Sequence, residues 1–436
     1  MSPASHQTWR NWAGNQQADA QRVLAPRSAG EVSAAVKQAA EDGLTVRMTG
    51  TGHSFTGAAL ASGVRLAPSA LTAVRELDTA TGLVTVEAGL PLHRFNAILR
   101  EHGLALANMG DIQEQTVAGA LQTGTHGTGR EAAGLVSQVA ALELVLADGS
   151  VVTCSRDERP DLFDAARAGL GALGVVTAIT WKTVPSFLLR AQEEPMAWDE
   201  VLSRLDELAA ENEHFEFYWF PHTEGCLTKR NNRAGGPAEP LSRFKHWLDD
   251  EFLSNTLFNV VNKFTRAVPA SVPTVNGISA KVLGARTYTD DSYKIFTSPR
   301  TVRFKEQEFA IPRSELVSTL RELRALFARR DWRISFPIEV RLLPPEDGWL
   351  SMAYGRDTAF IAVHVYHRNP HEDYFGGVEE LMTAVGGRPH WGKLHTRDAS
   401  YLETVYPRFG DFRSLRDELD PDRRFANPYT TQVFGV

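Results

Sequence analysis

The stretch RMTGTGHSFTG, residues 47–57, places a histidine directly after a Gly-Thr-Gly turn that follows the short apolar segment LTVRMT. Glycines let backbone N–H groups converge on an anion, and Ser or Thr hydroxyls beside them add further donors. Such a turn suits a pyrophosphate, but it is equally typical of a tight bend at the end of a strand. The histidine, His53, could therefore serve packing, a metal ion or a cofactor.

A second glycine-rich segment, TGTHGTG at residues 123–129, follows the apolar run VAGALQ. Neither segment satisfies the common nucleotide-binding patterns. Phe55 stands where GxGxxG requires its third glycine, and no GxxxxGK[ST] occurs in the chain. Rossmann and P-loop sites are therefore excluded, while a phosphate cradle and a simple turn both stay open.

Composition places the chain among globular proteins. Its 436 residues exceed the roughly 250 to 300 at which a single core stops growing, so two domains are expected. Its 46 basic residues are outnumbered by 53 acidic ones and are not clustered, which argues against a nucleic-acid partner. Cys154 and Cys226 are too few and too far apart for a disulfide framework or zinc ribbon, and a reducing cytoplasm fits best.

The pattern of apolar residues predicts no membrane-spanning segment. The first 16 residues lack a basic region followed by an apolar one, and no run of 18 apolar residues occurs. The stretch LSNTLFNVVNKFTRAV, residues 253–268, is amphipathic, and we expect its apolar side to face the protein core. Contact with a membrane surface is the less favoured alternative.

The first 185 residues alternate helical and strand patterns. A helix is predicted over residues 28–43, opening on the capping residue Ser28 and closing on Gly43. The run ALELVLADGSVVTC, residues 141–154, predicts a hairpin around Asp-Gly-Ser.

From about residue 186 the strands are longer and helices separate them, which favours an antiparallel α+β domain. Residues 230–242, RNNRAGGPAEPLS, are expected to form an exposed loop. The expected strands are HFEFYWF (214–220), RFKEQEFAIP (303–312), FPIEVRLLP (336–344) and FIAVHVYH (360–367).

Several of these segments together resemble one known family. RMTGTGHSF, the run from LVTVEAG to GTHGTG (residues 83–129) and LGALGVVTAIT (170–180) are similar to the FAD-binding domain of the vanillyl-alcohol oxidase superfamily. HWGKLHT (390–396) and FANPY (425–429) resemble its aldonolactone oxidase branch, to which the alditol oxidases are close. The resemblance spans nearly the whole chain.

The resemblance implies an α+β fold with three parts. Residues 1–185 would form a two-subdomain, PCMH-type FAD-binding domain. Residues 186–405 would form the substrate or cap domain, an α+β unit with an antiparallel sheet. Residues 406–436 would form a C-terminal tail that returns to the FAD-binding domain.

The resemblance also implies the contacts of the cofactor. His53 corresponds to the residue that is commonly bonded to the flavin 8α-methyl group. Such a link prevents loss of the cofactor and favours the reduced flavin. The other residues expected to hold FAD are Met48, Thr49, Gly50, Thr51, Gly52, Ser54, Gly110, Asp111, Thr116, Gly119, Thr123, Gly124, Thr125, His126 and Val176.

Substrate-binding residues are expected on adjacent strands. Glu339 and Arg341 are two residues apart and so point to the same face of a strand, which would also suit an exposed charge pair. The resemblance assigns them to sugar hydroxyls, with Arg341 close to the chemistry, and Lys393 to polarising the substrate oxygen or the flavin. His364 could be the catalytic base or a packed core histidine. Asp111 and Tyr366 complete the expected substrate site.

A metal site is not expected. The pairs His364 with His367 and His390 with His395 suggest one, but strand alternation places the first pair on opposite faces. No carboxylate near either pair in the sequence completes a ligand set.

The expected activity is oxidation of a sugar 1,4-lactone. Alditol oxidases typically carry Ala-Ser in place of Gly110-Asp111 and Thr in place of Tyr366, so a ring substrate is favoured over a linear polyol. A small residue at position 110 is associated in the family with oxygen reaching the flavin, which favours an oxidase that releases hydrogen peroxide. Three alternatives stay open: an alditol oxidase, a lactone dehydrogenase, and a sugar-binding protein without turnover. The particular sugar and the oligomeric state are not predicted.

Overall fold

The computed structural model describes residues 8–242, 245, 257–282 and 284–436. Its β-strands are β1 (Trp9–Arg10), β2 (Gln17–Ala18), β3 (Arg22–Leu24), β4 (Val46–Met48), β5 (Val64–Leu66), β6 (Val74–Asp78), β7 (Leu83–Glu87), β8 (Leu104–Ala105), β9 (Val139–Val145), β10 (Val151–Ser155), β11 (Val175–Lys182), β12 (Val184–Pro185), β13 (Leu188–Ala197), β14 (His214–Trp219), β15 (Gly225–Ala234), β16 (Arg286–Asp291), β17 (Phe304–Pro312), β18 (Ile338–Leu343), β19 (Thr358–Tyr366) and β20 (Arg388–Pro389). The α-helices span Ala29–Glu41, Leu92–Glu101, Val117–Gln122, Pro160–Ala166, Trp198–Ser203, Leu205–Glu211, Phe258–Ala267, Val272–Val282, Ser292–Phe296, Leu316–Arg330, Glu372–Ala384, Ala399–Val405, Phe409–Leu419 and Pro428–Phe434.

The N-terminal half is built on two sheets. One is parallel, with the strand order β3-β5-β4, and the other is antiparallel, with the order β10-β9-β11-β7-β6. The helix Ala29–Glu41 begins where Ser28 Oγ accepts a hydrogen bond from Glu31 N, and Gly43 behind it has φ +66°. β9 and β10 pair across Asp148-Gly149. Both the helix and the hairpin predicted from sequence are confirmed.

The second half is built on an eight-stranded antiparallel sheet with the order β16-β13-β15-β14-β18-β19-β17-β20. Residues opposite each other in adjacent strands share a face, and successive residues alternate between faces. Phe217 lies opposite Val340, and both pack into an apolar core. Their neighbours Glu216 and Arg341 lie opposite each other on the other face. The sheet therefore has one apolar face and one charged face, and the mixed α and β class with an antiparallel sheet is confirmed.

The charged face of this sheet is covered by the N-terminal half of the chain. Arg341 Nη2 lies 3.7 Å from the Asp111 carboxylate, and Glu308 lies 3.3 Å from His126 Nε2. Thr128 Oγ1 donates a hydrogen bond to the carbonyl of Leu342. Burying charged groups requires partners for each of them, so this face becomes a network of ion pairs.

The expected loop at residues 230–242 is wrong in its first part. β15 continues to Ala234, where Leu188 of β13 lies opposite it. On the other side of β15, Arg230 lies opposite Phe215 of β14. β13 pairs with residues 230–234 and β14 with residues 230 and 231, so polar side chains that suggested a loop in the sequence lie in a strand.

The helix Phe258–Ala267 does not bury its apolar side as expected. Val260 and Phe264 are 56% and 52% exposed, whereas Asn262 and Thr265 are buried. Asn262 Oδ1 accepts a hydrogen bond from Ser335 Oγ at 2.7 Å, which compensates for burial of its amide. Residues 253–256 of this predicted stretch lie outside the described residues. Within the described part of the chain, no helix combines the length and apolar character needed to cross a membrane.

The C-terminal segment contacts the first half of the chain at several points. Val46 N donates to the carbonyl of Arg424 at 2.8 Å. The Asn427 side chain donates to the carbonyls of Gly57 and Leu60 at 2.9 and 3.0 Å. The division into residues 1–185, 186–405 and 406–436 stays a prediction, with the eight-stranded sheet formed wholly within residues 188–389.

Candidate active site

A cavity of about 880 Å³, including its open mouth, lies in the N-terminal half. Its walls come from the end of β4, the Gly-Thr-Gly turn, the helix Val117–Gln122, the loop before β11, and Phe425 of the C-terminal segment. Ten of the residues predicted to hold FAD line it: Met48, Gly50, Thr51, Gly52, His53, Ser54, Thr116, Gly119, Thr123 and Val176.

The Gly-Thr-Gly turn requires its glycines. Gly52 has φ +76°, and a Cβ there would lie 2.9 Å from the Trp9 ring. A Cβ on Gly50 would lie 2.7 Å from Thr116 Oγ1. The turn therefore presses its backbone against two neighbouring segments and keeps the cavity side free of side-chain atoms.

Arg47 is a buried cation in the cavity wall. Its Nη atoms donate to the carbonyls of Phe425 at 2.9 Å and Leu170 at 2.7 Å, and also to Ala58 and Gly171. Burial lowers the pKa of Arg47 to about 10, so it stays charged at pH 7. Its Nε is buried without a hydrogen-bond partner. A buried guanidinium bonded to carbonyls, with one spare donor, fits a cavity that binds an anion such as the FAD pyrophosphate.

His53 is half-buried at this cavity and its ring stacks on Trp12, with ring centroids 5.9 Å apart. Burial lowers the pKa of His53; Lys393 lowers it further, and Glu114 opposes both. The imidazole is therefore neutral at pH 7 and keeps a free ring-nitrogen lone pair, which a bond to a flavin methyl carbon would require.

Most of the second glycine-rich segment, residues 123–129, lies outside the cavity. Thr123 lines it, but His126 stacks on Phe360 with centroids 3.6 Å apart. A Cβ on Gly124 would lie 2.9 Å from the Met352 side chain, and one on Gly127 would lie 2.1 Å from the Met109 carbonyl. Gly124 thus allows close packing between the two halves of the chain, and Gly127 allows close packing within the N-terminal half.

Besides His126, five residues predicted to hold FAD are absent from the cavity lining: Thr49, Gly110, Asp111, Gly124 and Thr125. Thr49 Oγ1 donates to the carbonyl of Ala59, and Thr125 Oγ1 lies 3.4 Å from the Gln115 amide. A Cβ on Gly110 would lie 2.8 Å from the Thr125 methyl group. Gly124 packs as described above, and Asp111 belongs to the charged cluster of the sheet.

Arg341 is the centre of that cluster. Its guanidinium pairs with Glu339, lies 3.0 Å from Glu216, and lies 3.7 Å from Asp111. Tyr218 OH donates to Glu339 at 2.9 Å. Glu339 and Arg341 are only 5% and 7% exposed, so they are not the solvent-facing pair that the sequence left open.

Burial alone would lower the pKa of Arg341, but Glu339, Asp111 and Glu216 together raise it above its ordinary range. Burial raises the pKa of Glu339, with Arg341 opposing. For Asp111, burial also acts to raise the pKa, but Arg300, Arg341 and Lys393 outweigh it and lower the pKa. Asp111 is therefore ionised, and its partner Arg300 lies 2.7 Å away.

Lys393 lies at one end of the charged face. Its Nζ is paired with Glu306 and lies 5.3 Å above the Phe55 ring, next to the Gly-Thr-Gly turn. The other Glu306 oxygen lies 3.5 Å from His364 Nε2. Lys393 and His364, both predicted to be catalytic, are thus brought together by a residue that the sequence reading did not include.

Tyr366, which was predicted to bind substrate, does not lie in the charged cluster around Arg341. It is 3% exposed, packs with Phe336 and Val302, and its OH donates to Asn259 Oδ1 at 3.2 Å. The ring therefore lies in an apolar cluster at the end of β19, beside His364 rather than against Arg341.

His126, Glu308 and His390 form a buried cluster whose potential metal ligands lie within 4.8 Å of one another. His126 Nδ1 faces the Gly127 carbonyl, so it carries the proton. His390 Nδ1 accepts from Gly392 N at 3.0 Å, so its proton is on Nε2. A metal-bound histidine donates from its second nitrogen, which His390 cannot do in this arrangement. The geometry fits a hydrogen-bonded cluster better than a metal centre.

Several functional candidates were missed in the sequence. Glu306 and Glu308 alternate in FKEQEF, and Glu216 interrupts the apolar strand HFEFYW. Each is an acidic residue in a strand otherwise expected to be buried, and that is the signal that could have found them. Arg300 follows the helix Ser292–Phe296 in an irregular segment, and no pattern singles it out.

Two protein-family models match the chain. Residues 179–433 match the family model described as D-arabinono-1,4-lactone oxidase, and residues 20–155 match that of an FAD binding domain. The chain belongs to the D-arabinono-1,4-lactone oxidase family. It is accordingly an FAD-dependent oxidoreductase, as the resemblance predicted.

Named relatives cover almost the whole chain. The chain is 40% identical to L-gulono-1,4-lactone dehydrogenase of Mycobacterium tuberculosis, with 100% of each chain covered. It is 33% identical to L-gulonolactone oxidase of Bos taurus, with 98% of each covered. It is 31% identical to alditol oxidase of a Streptomyces species, covering 96% of this chain and 97% of the relative.

Solved structures share the fold. A structure titled solvent-stable cholesterol oxidase superposes with a TM-score of 0.84 at 18% identity, with 100% of both chains covered. A cholesterol oxidase from Brevibacterium sterolicum superposes with a TM-score of 0.82 at 17% identity, covering 98% of this chain and 96% of the other. At these identities the likeness concerns the fold alone.

Proposed function

We propose that this member of the D-arabinono-1,4-lactone oxidase family oxidises a ring carbinol of a sugar 1,4-lactone with covalently bound FAD and molecular oxygen. The observation that carries the proposal is the position of Lys393. Its charge acts both on Asp111 of the charged cluster and on His53 of the Gly-Thr-Gly turn. Bound FAD would accept a hydride from the carbinol carbon, and the residues of this chain supply binding, orientation and proton transfer.

His53 is proposed to hold the cofactor covalently. Its neutral imidazole lines the cavity, and Arg47 supplies positive charge in the same wall. Gly50, Thr51, Gly52 and Ser54 would hold the pyrophosphate. Thr116, Gly119 and Thr123 face them from the helix Val117–Gln122 and the residues that flank it.

Glu339 and Arg341 are proposed to bind the sugar hydroxyl groups. Both are buried, and their partners Glu216, Asp111 and Tyr218 hold them in fixed positions. A site built from hydrogen-bonding groups discriminates strongly against substrates that leave those groups unpaired. Lys393 would polarise the oxygen that becomes a carbonyl, and His364 would accept the hydroxyl proton.

The identity of the electron acceptor is a separate part of the proposal from the identity of the substrate. Gly110 packs against the Thr125 methyl group, which leaves no room for a side chain at that position. The proposal that oxygen is the acceptor rests on the small residue there. A second candidate, a lactone dehydrogenase, is favoured by similarity to the L-gulono-1,4-lactone dehydrogenase of Mycobacterium tuberculosis.

The test is anaerobic reduction of the purified flavoprotein, followed by absorbance between 350 and 500 nm. L-gulono-, L-galactono- and D-arabinono-1,4-lactone are compared with xylitol and sorbitol, and peroxide is then measured in air. We expect a lactone to bleach the flavin and air to regenerate it with peroxide. Preferential bleaching by a polyol would contradict the lactone assignment, and reduction without peroxide would favour the dehydrogenase.

Two variants give this test its controls. Arg341→Met should abolish bleaching by every lactone, because it removes the centre of the charged cluster. Glu346→Gln alters a buried glutamate that bonds Ser137 and Ser351 away from that cluster, and it should bleach like the wild type. Equal rates in Arg341→Met and the wild type would contradict the proposed substrate site.

A further inference from the structure

Glu306 is a buried carboxylate in the middle of the candidate catalytic groups. It lies on β17, opposite His364 on β19, and it is 5% exposed. Opposite residues of antiparallel strands share a face, so both side chains point toward the N-terminal half of the protein. Neither the apolar core nor the substrate cluster around Arg341 accounts for this carboxylate.

Both the side chain and the backbone of Glu306 hold the segment that carries Lys393. One carboxylate oxygen pairs with Lys393 Nζ, and the other lies 3.5 Å from His364 Nε2. The Glu306 carbonyl accepts a hydrogen bond from Leu394 N at 2.9 Å. The lysine and the residue after it are therefore both anchored to one position of β17.

The charge of Lys393 depends on this environment. Burial acts to lower the pKa of Lys393, but Glu306 and Glu308, with Asp111, raise it above its ordinary value. Among these three carboxylates, only Glu306 touches the ammonium directly. The neighbouring imidazoles are those of His53, His364 and His390.

The Glu306 carboxylate also influences which ring nitrogen of His364 carries the proton. Glu306 faces Nε2, whereas Nδ1 is buried and has no hydrogen-bond partner. An ionised carboxylate only accepts hydrogen bonds, so the arrangement favours a proton on Nε2. A carboxylate that accepts a hydrogen bond from one ring nitrogen commonly fixes the orientation and the tautomer of a histidine in this way.

We propose that Glu306 is a positioning residue that keeps Lys393 charged and in place and sets the tautomer of His364. The proposal rests on the proposed function for the roles of Lys393 and His364 in catalysis. The ion pair between Glu306 and Lys393 exists without substrate, so its effect on Lys393 can be tested separately from the proposed catalytic function.

The first test is NMR of the flavoprotein labelled with ¹³C at the lysine side chains. The chain has nine lysines, and a Lys393→Met sample identifies the resonance. In Glu306→Gln we expect Lys393 to titrate about 1 to 3 pH units lower than in the wild type, because an adjacent opposite charge is lost. Glu306→Asp should lie nearer the wild type, and the control Glu346→Gln should match it. Identical titration of Lys393 in Glu306→Gln would overturn the proposal.

The second test is the pH profile of flavin reduction by the lactone. The cation form of Lys393 is the active one, so the alkaline limb of the profile should move to lower pH in Glu306→Gln by the same amount. In a Lys393→Met background, Glu306→Gln should shift no alkaline limb, because the group that titrates there is gone; a shift of the same size in that background would overturn the role through Lys393. If no lactone reduces the wild-type flavin, the proposed function fails while the NMR titration still decides the role of Glu306. If Glu306→Gln does not fold, Glu306→Asp carries both comparisons, with a smaller expected shift.

Discussion

At the residue scale, His53 shows how much a local environment changes the chemistry of one side chain. A solvated histidine is partly protonated near neutral pH. Burial beside Trp12 and the positive charge of Lys393 favour the neutral ring. The neutral form is the one with a lone pair available for bond formation to carbon.

Replacing His53 by Ala should leave the flavin non-covalent. After acid precipitation, we expect the yellow colour to remain with the wild-type pellet and to pass into the supernatant for His53→Ala. His93→Ala, which changes an exposed histidine on the helix Leu92–Glu101, is the control and should behave like the wild type. Retention of acid-stable flavin in His53→Ala would show that another residue forms the bond.

At the element scale, the backbone conformation of the Gly-Thr-Gly turn depends on contacts with residues that are distant in the chain. Gly14 and Gly52 both have φ +76°, but only Gly52 has a neighbour within reach of a Cβ. That neighbour is the Trp9 ring of β1. Comparing substitutions at the two positions separates the free-energy cost of the left-handed backbone from the cost of side-chain crowding.

Gly52→Ala should destabilise the protein more than Gly14→Ala. Both place an L-residue in the left-handed region, which costs about 1 to 2 kcal/mol. Gly52→Ala also displaces Trp9, which adds about 1 to 3 kcal/mol, as overpacking does. The measurement is the free energy of unfolding in urea, with flavin content recorded for each variant. Equal losses for the two variants would mean that Trp9 moves without cost.

At the scale of the whole molecule, the two halves of the chain meet across the charged face of the eight-stranded sheet. Burial acts to raise the pKa of five carboxylates in this layer. Neighbouring cations outweigh burial and lower the pKa of four of them, which are Asp111, Glu216, Glu306 and Glu308. Glu339 is the exception, because burial keeps its pKa raised.

The lowered pKa values predict loss of stability in acid. A carboxylate with a lowered folded-state pKa contributes its stability above its ordinary pKa, and that stability is lost as the pH falls through the folded value. The ordinary values are 3.8 for Asp111 and 4.5 for Glu216. We therefore expect the thermal midpoint to fall steadily below about pH 4.5.

The midpoint is measured by calorimetry between pH 7 and pH 3. Asp111→Asn removes one of the four groups and should make the fall with pH shallower. A midpoint that stays constant down to pH 3 would show that the layer is not held by ionised carboxylates.

Much of the architecture follows from local patterns in the sequence. Ser28 and Gly43 delimit a helix because capping and left-handed termination are properties of single residues. The strands around Glu339 and His364 follow from alternation of apolar residues. The glycine turn and His53, with the motifs near the C-terminus, indicated the flavin family that comparison then showed.

Other features were decided only when distant segments met. Residues 230–234 form a strand because β13 pairs with all of them and β14 pairs with residues 230 and 231. Val260 and Phe264 stay exposed because the helix is held through Asn262.

By itself, then, the sequence determined the family, the mixed α and β class, several of the helices and strands, and ten of the residues that line the cavity. The helices and strands depend on periodicity and on single capping residues, which act over a few positions, whereas the family and the cavity residues follow from the resemblance of whole motifs. Only the tertiary structure decided the partners of the charged residues. Glu306 meets Lys393, 87 positions away in the chain, because strand pairing and the packing of the two halves bring them together. A buried charge takes its function from such partners, and sequence separation does not reveal them.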